Sequence, residues 1–248
     1  NRGSTLKLPG AGGSWTGGQP GPDVSAATIL TVGLSIDSST CNDNDTSGCL
    51  TIGAAGVGVS VTSGSVIVAI VTPTGNVNDT RQWVAVQATG LHAALTGIPD
   101  LDLEVSSLGL TLNNVTGTYK DPTNNATVTS QALDWTKSIG TVDVNGVFTP
   151  QAVQAAGVTL NLKSSASLSI GGVATVTFAG GLVHGDLAFA VSTQTIASTA
   201  LPALLPDGGT LTTIALSIPA PTTANPNPSI TVGTGPLGFK VTSGGLLV

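Results

Sequence analysis

The sequence predicts an all-β fold of long antiparallel strands, in a barrel or a sandwich, and three observations carry that expectation. Apolar and polar residues alternate with period two through many runs. Turn-forming residues punctuate the runs. One strand motif occurs twice, near the start and at the end of the 248 residues.

Taken in order, residues 1–27 are rich in Gly and Pro and show no sustained periodicity, which predicts an extended arm or linker. Alternating runs follow at Val57/Val59/Val61, Val66/Val68/Ile70, Leu101/Leu103/Val105, Leu108/Leu110/Leu112 and Val183/Leu187/Phe189/Val191. The sharpest alternation is Val158–Lys163, continuing through Ala166, Leu168 and Ile170, and it predicts a long strand or a pair with one wet face. Ser63-Gly64, Ser106-Ser107, Gly171-Gly172 and Gly180-Gly181 are the expected turns. The best helix candidates are short, at Pro150–Ala156, where Pro suits a first turn, and at Ala200–Leu205.

The repeat organises the chain. Thr28–Ile36 lines up with Thr210–Ile218 at an offset of 182 residues, and Thr51–Val68 with Thr231–Val248 at an offset of 180, with 8 of 18 positions identical. The difference falls in the connecting loop, where length changes are tolerated. Residues 28–209 therefore read as one complete β-repeat domain and 210–248 as the first strands of a second. A hairpin alone is marginal in water, so 210–248 must pack on the first unit, a following unit or a neighbouring subunit. Thr231, Val232, Leu237, Phe239, Val241, Leu246 and Val248 are the candidate assembly residues, acting by strand donation.

Charged residues make up 8% of the chain and the formal net charge is −6, with the seven bases scattered singly, so nucleic-acid binding has no electrostatic footprint. No apolar stretch approaches the ~20 residues that span a bilayer, and three Trp, one Tyr and four Phe are too few for the aromatic girdles of a membrane barrel. The chain begins at Asn1, contains no Met and opens without a signal-like segment, as expected of a mature or excised product. Cys41 and Cys49 bracket a polar loop and predict a local disulfide, contributing roughly 2.5 kcal/mol and implying an oxidising compartment.

Gly56–Pro73, Thr80–Ala88, Gly97–Leu103 and Ala132–Thr136 resemble the strand texture of very large secreted bacterial surface proteins built from tandem β-rich domains. The resemblance covers most of 28–248. It implies adhesion, fibre formation or surface coating, and it offers no functional residues to carry over.

The functional expectation is a structural, non-enzymatic subunit of an extracellular filament or surface fibre, assembled head-to-tail through its terminal strands. Its partners would be copies of itself or adjacent repeats, and no cofactor is implied. The alternative is an adhesin domain that binds glycans or host surfaces through loops 37–50 and 119–130. His184 and Asp186 should share a polar strand face, without the nucleophile pattern that would make them catalytic. Asp100, Asp102 and Glu104, and the loop acids Asp37, Asp43 and Asp45, could meet a hard cation but lack a calcium-loop spacing, and a solvated face is the simpler reading. His92 is isolated, and Trp15, Trp83 and Trp135 read as core rather than a sugar platform. Asn44, Asn78, Asn114 and Asn125 are glycosylation sequons, each in or beside a polar, turn-rich segment.

Overall fold

A computed structural model describes residues 4–6, 24–39, 41, 49–54, 57–74, 77–122, 124–145, 147–164, 167–196, 209–223, 225–234 and 237–248. The chain is all-β, and no helix occurs among the described residues. The strands are β1 (Ser4–Leu6), β2 (Val24–Ile36), β3 (Leu50–Ala54), β4 (Val57–Pro73), β5 (Gln82–Thr96), β6 (Leu101–Thr116), β7 (Thr118–Lys120), β8 (Thr127–Thr129) and β9 (Ile139–Val142). They continue with β10 (Phe148–Pro150), β11 (Gln154–Ala155), β12 (Val158–Thr159), β13 (Ser169–Phe178), β14 (Val183–Ile196), β15 (Gly209–Ser217), β16 (Ile230–Thr234), β17 (Leu237–Val241) and β18 (Gly245–Leu247). The strand order ends at β10 on one side and β18 on the other, so no closed barrel forms among the described residues and the sandwich-like alternative holds.

Two compact units interleave along the chain. The first comprises Asn1–Leu34, Val66–Gln87 and Thr111–Ser167. Its strand order is β10-β9-β1-β2-β4-β5-β6, using the parts of the long strands that fall in those ranges. Its core joins Ile67, Ala69 and Val71 of β4, Trp83 and Ala85 of β5 and Val24 of β2 to Leu133, Trp135, Ile139, Val153, Leu160 and Leu162. Apolar residues occupy every position from Val66 to Val71, and the buried ones are Ile67, Ala69 and Val71 rather than the expected Val66, Val68 and Ile70. Asn113 is buried and ties this core together, donating to the Leu133 and Lys163 carbonyls at 2.8 and 2.9 Å and accepting from Trp135 Nε1 at 2.9 Å. Arg81 is buried in an ion pair with Asp79 and lies over the rings of Trp83 and Tyr119.

The second unit comprises Ser35–Ser65, Ala88–Leu110 and Leu168–Val248. Here β13 and β14 form a ten-pair ladder from Ser169↔Ser192 to Phe178↔Val183. The other edge of β14 is shared by β15, along Ala188–Ile196, and β16, along Val183–Gly185. Beyond them lie β18, paired with β15, and β17, paired with β16.

Several local expectations change. Ser63-Gly64 and Ser106-Ser107 lie inside the continuous strands β4 and β6 rather than in turns. Gly64 has φ +112° and Ser107 φ +55°. A positive φ bends an extended strand locally, so the alternation breaks there without the chain reversing. Gly171-Gly172 is likewise inside β13, whereas Gly180-Gly181 does turn the chain between β13 and β14.

Val158–Lys163 forms only the two-residue strand β12, followed by extended chain; Leu160 and Leu162 face the core. Alternation records which side chains are buried, and isolated bonds replace a ladder, with Leu160 N–H donating to Val153 O and Trp135 N–H to Leu162 O. Pro150–Ala156 is not helical. Ala156 and Gly157 both have positive φ and reverse the chain between β11 and β12 as a tight hairpin. Ala200–Leu205 lies outside the described residues. Of the expected N-terminal arm, 4–6 and 24–27 are strand, and the other residues also lie outside them.

Candidate assembly site

Every residue of the apolar core cluster belongs to the first unit. Among the described residues of the second unit, the buried apolar side chains are few: Ile36, Cys41, Ala88, Ala174 and Pro228. Among the described residues β17 pairs with β16 alone and β18 with β15 alone, and the apolar side chains of both are exposed.

The candidate residues divide accordingly. Thr231 and Val232 are half-buried in β16, opposite Lys240 and Phe239. Leu237, Phe239 and Val241 of β17, together with Leu246, Leu247 and Val248, are exposed. Leu237 reaches 84% exposure, Phe239 62% and Leu246 57%. Leu247 was not singled out from the sequence, although its place between two chosen residues in an all-apolar terminus was a usable signal.

Backbone polarity adds to the apolar surface. Val248 exchanges both hydrogen bonds with Ile214, and the Gly244 carbonyl accepts from Ile218 N–H, so the even-numbered residues of this segment face β15. Antiparallel alternation therefore turns the N–H and C=O groups of Gly245 and Leu247 outward. An edge of this kind is a template for another strand.

The two copies of the repeated hairpin have the same register. Leu50↔Val61, Thr51↔Ser60, Ile52↔Val59, Gly53↔Gly58 and Ala54↔Val57 become, 180 residues on, Ile230↔Val241, Thr231↔Lys240, Val232↔Phe239, Gly233↔Gly238 and Thr234↔Leu237. In both, two glycines face each other. A Cβ at Gly53 or Gly233 would stand 2.6 or 2.4 Å from the Cα of its partner glycine. Side chains are excluded there, so the strands approach closely.

Cys41 and Cys49 form the expected disulfide, with Cα atoms 5.0 Å apart. Disulfides persist in oxidising surroundings, which makes the chain non-cytoplasmic. No helix among the described residues is long and apolar enough to cross a membrane.

The remaining candidates do not converge. His184 is exposed, with Nδ1 at 2.9 Å from Thr177 Oγ1. Asp186 accepts from Thr175 Oγ1 and Asn225 Nδ2 at 2.9 and 2.7 Å. Both partner threonines are cross-strand neighbours on β13. His92 is half-buried on β5.

Asp100, Asp102 and Glu104 are exposed, the first two beside a hollow of about 250 Å³ that Thr177 and Gly180 also line. Among the described residues no three acids, histidines or cysteines come together as metal ligands. Asp37 is exposed, and the Ser39 backbone N–H holds its carboxyl below the ordinary value. Trp83 and Trp135 are wholly buried. Asn78 lies in a turn, Asn125 in a turn at φ +63°, and Asn114 is exposed within β6 rather than in a loop. Trp15, Asp43, Asn44 and Asp45 lie outside the described residues. Comparison with protein-family models, curated proteins and solved structures gives no match.

Proposed function

We propose that this chain is a structural subunit of an extracellular filament or surface fibre, joined to its neighbours by extension of the sheet at β17 and β18. The observation that carries the reading is a strand edge that is open among the described residues and fringed with exposed Leu, Phe and Val, in a unit whose described residues contribute nothing to the buried apolar cluster. Main-chain bonding supplies affinity in such contacts and alternate side chains supply register. A contact between unlike surfaces of identical subunits repeats head to tail, and it grows a fibre where its rotation does not close a ring.

Three further properties support a role outside the cell. The disulfide requires an oxidising compartment. A chain with 8% charged residues presents few groups for electrostatic steering. The strand texture resembles that of large bacterial surface proteins with tandem β domains.

Electron microscopy of the full chain beside a version ending at Ile218 tests the proposal, with far-ultraviolet circular dichroism confirming that both remain β-structured. Ordered polymers should form from the full chain and disappear on truncation. Monodisperse particles from both, with stabilisation by a glycan or host-surface ligand, would replace this reading with the adhesin alternative.

A further inference from the structure

The two hairpins share a backbone but differ in what lies beside them. In the first, the outer edge of β4 is occupied by β5. Ser65 Oγ lies 3.0 Å from Thr89 Oγ1, and Thr96 Oγ1 donates to Gly58 O at 3.3 Å. These contacts fix an antiparallel frame in which Gly64 meets Gly90. A Cβ placed on Gly64 would stand 2.7 Å from both Gly90 O and Leu91 Cα.

Gly244 is the counterpart of Gly64, 180 residues on, and it also has positive φ, +141° against +112°. Yet nothing stands within 4 Å of where its Cβ would be. The backbone shape that receives β5 is present a second time, and among the described residues its place is open.

We infer that the outer edge of β17 and β18 accepts an antiparallel strand with the residue pattern of β5, supplied by another repeat of this kind. The inference rests on the assembly reading and names the partner strand. Carrying the first copy's frame forward sets Thr96 of the incoming strand opposite Gly238, and Thr89 opposite Gly245. It then sets Leu95 opposite Phe239, Ala93 opposite Val241, Ala88 opposite Leu246 and Val86 opposite Val248. Apolar residues meet apolar ones at these four pairs, Gln87 falls opposite Leu247, and Ala94 rather than a base faces Lys240. Gly245 and Leu247 contribute the outward N–H and C=O groups.

The probe is a fluorescent peptide of residues Gln82–Thr96, titrated against the intact chain by anisotropy. Saturable binding is expected. It should weaken about tenfold or more on Leu247→Pro, which removes an outward N–H while leaving the Val248–Ile214 pair. The same loss is expected from Gln87→Pro in the peptide, a change that cannot affect folding of the chain. A Phe239→Cys chain should form a disulfide with a Leu95→Cys peptide in preference to a Leu91→Cys peptide. The inference is overturned by absence of binding up to about 1 mM peptide, by binding that ignores both prolines, or by cross-linking without register preference. Polymers that form while the peptide does not bind would overturn it and leave fibre assembly standing. Peptide binding in register without polymers would support it and remove the assembly proposal.

Discussion

If β17 and β18 form a subunit contact, replacing their exposed apolar side chains should abolish assembly and leave the isolated chain as stable as before. The informative variant combines Leu237→Ser, Phe239→Ser and Leu246→Ser. Full burial of a Leu or Phe side chain stabilises by about 1.5–3 kcal/mol. Scaling the lower end by exposures of 84, 62 and 57% leaves about 1 kcal/mol per residue available to a contact. The triple variant should therefore lose about 3 kcal/mol per interface, near a 150-fold rise in the critical concentration for polymerisation. Light scattering across a dilution series measures that concentration, and thermal unfolding of the unassembled chain supplies the control. Exposed positions without special contacts change stability by only about 0.5 kcal/mol. Unchanged assembly would refute the reasoning. So would a melting temperature that falls as far as assembly weakens, because the side chains would then be holding the subunit itself together.

Asn113→Ala should destabilise the first unit by about 3 kcal/mol or more, because it strips partners from Trp135 Nε1 and from two carbonyls, and tryptophan fluorescence during denaturation would register it. Arg81→Met should cost about 3–5 kcal/mol in the same assay by leaving the buried Asp79 carboxylate without its cation, and Asp79→Asn in that background should recover part of the loss. Reduction of Cys41–Cys49 should lower stability by roughly 2.5 kcal/mol or less, read as a drop in denaturant midpoint with dithiothreitol. Asp143 accepts hydrogen bonds from the backbone N–H groups of Val147 and Asn145, which hold its carboxyl below the ordinary 3.8. Its contribution is thus present above 3.8 and lost as pH falls through the lower folded value; hydrogen exchange at those two amides should show the turn loosening only there.

The sheet was legible in the sequence because period-two patterning reports burial directly, but patterning does not say what pairs with what. Val158–Lys163 has the cleanest alternation in the chain and almost no ladder, since its apolar side chains fill a core while its backbone bonds go to scattered partners. The breaks in alternation at Ser63-Gly64 and Ser106-Ser107 were visible, and a turn and a bend within a strand both produce such a break. Only the continuing strand separates them. Asn113 and Arg81 gave no signal. A buried polar residue is defined by partners distant in sequence, such as Lys163, 50 residues away, and no local pattern encodes that.

The repeat was more legible than any single strand, and its retained residues explain why. Gly53, Gly58 and Gly64 recur as Gly233, Gly238 and Gly244, whereas Val59 and Ser60 become Phe239 and Lys240. The first pair of glycines recurs because two backbones approach too closely for a Cβ, and the third because φ is positive in both copies. The side chains around them are free to change, at exposed positions such as Val59, which becomes Phe239, and at the buried Ile67, which becomes Leu247. What the duplication retains is a backbone able to seat a strand on its outer edge. In the first copy β5 lies on that edge, and in the second the place at Gly244 is open among the described residues. If the proposed contact forms, substitutions that spare the chain's own stability but fill the space at Gly244 or remove the outward groups of Gly245 and Leu247 should act on assembly alone.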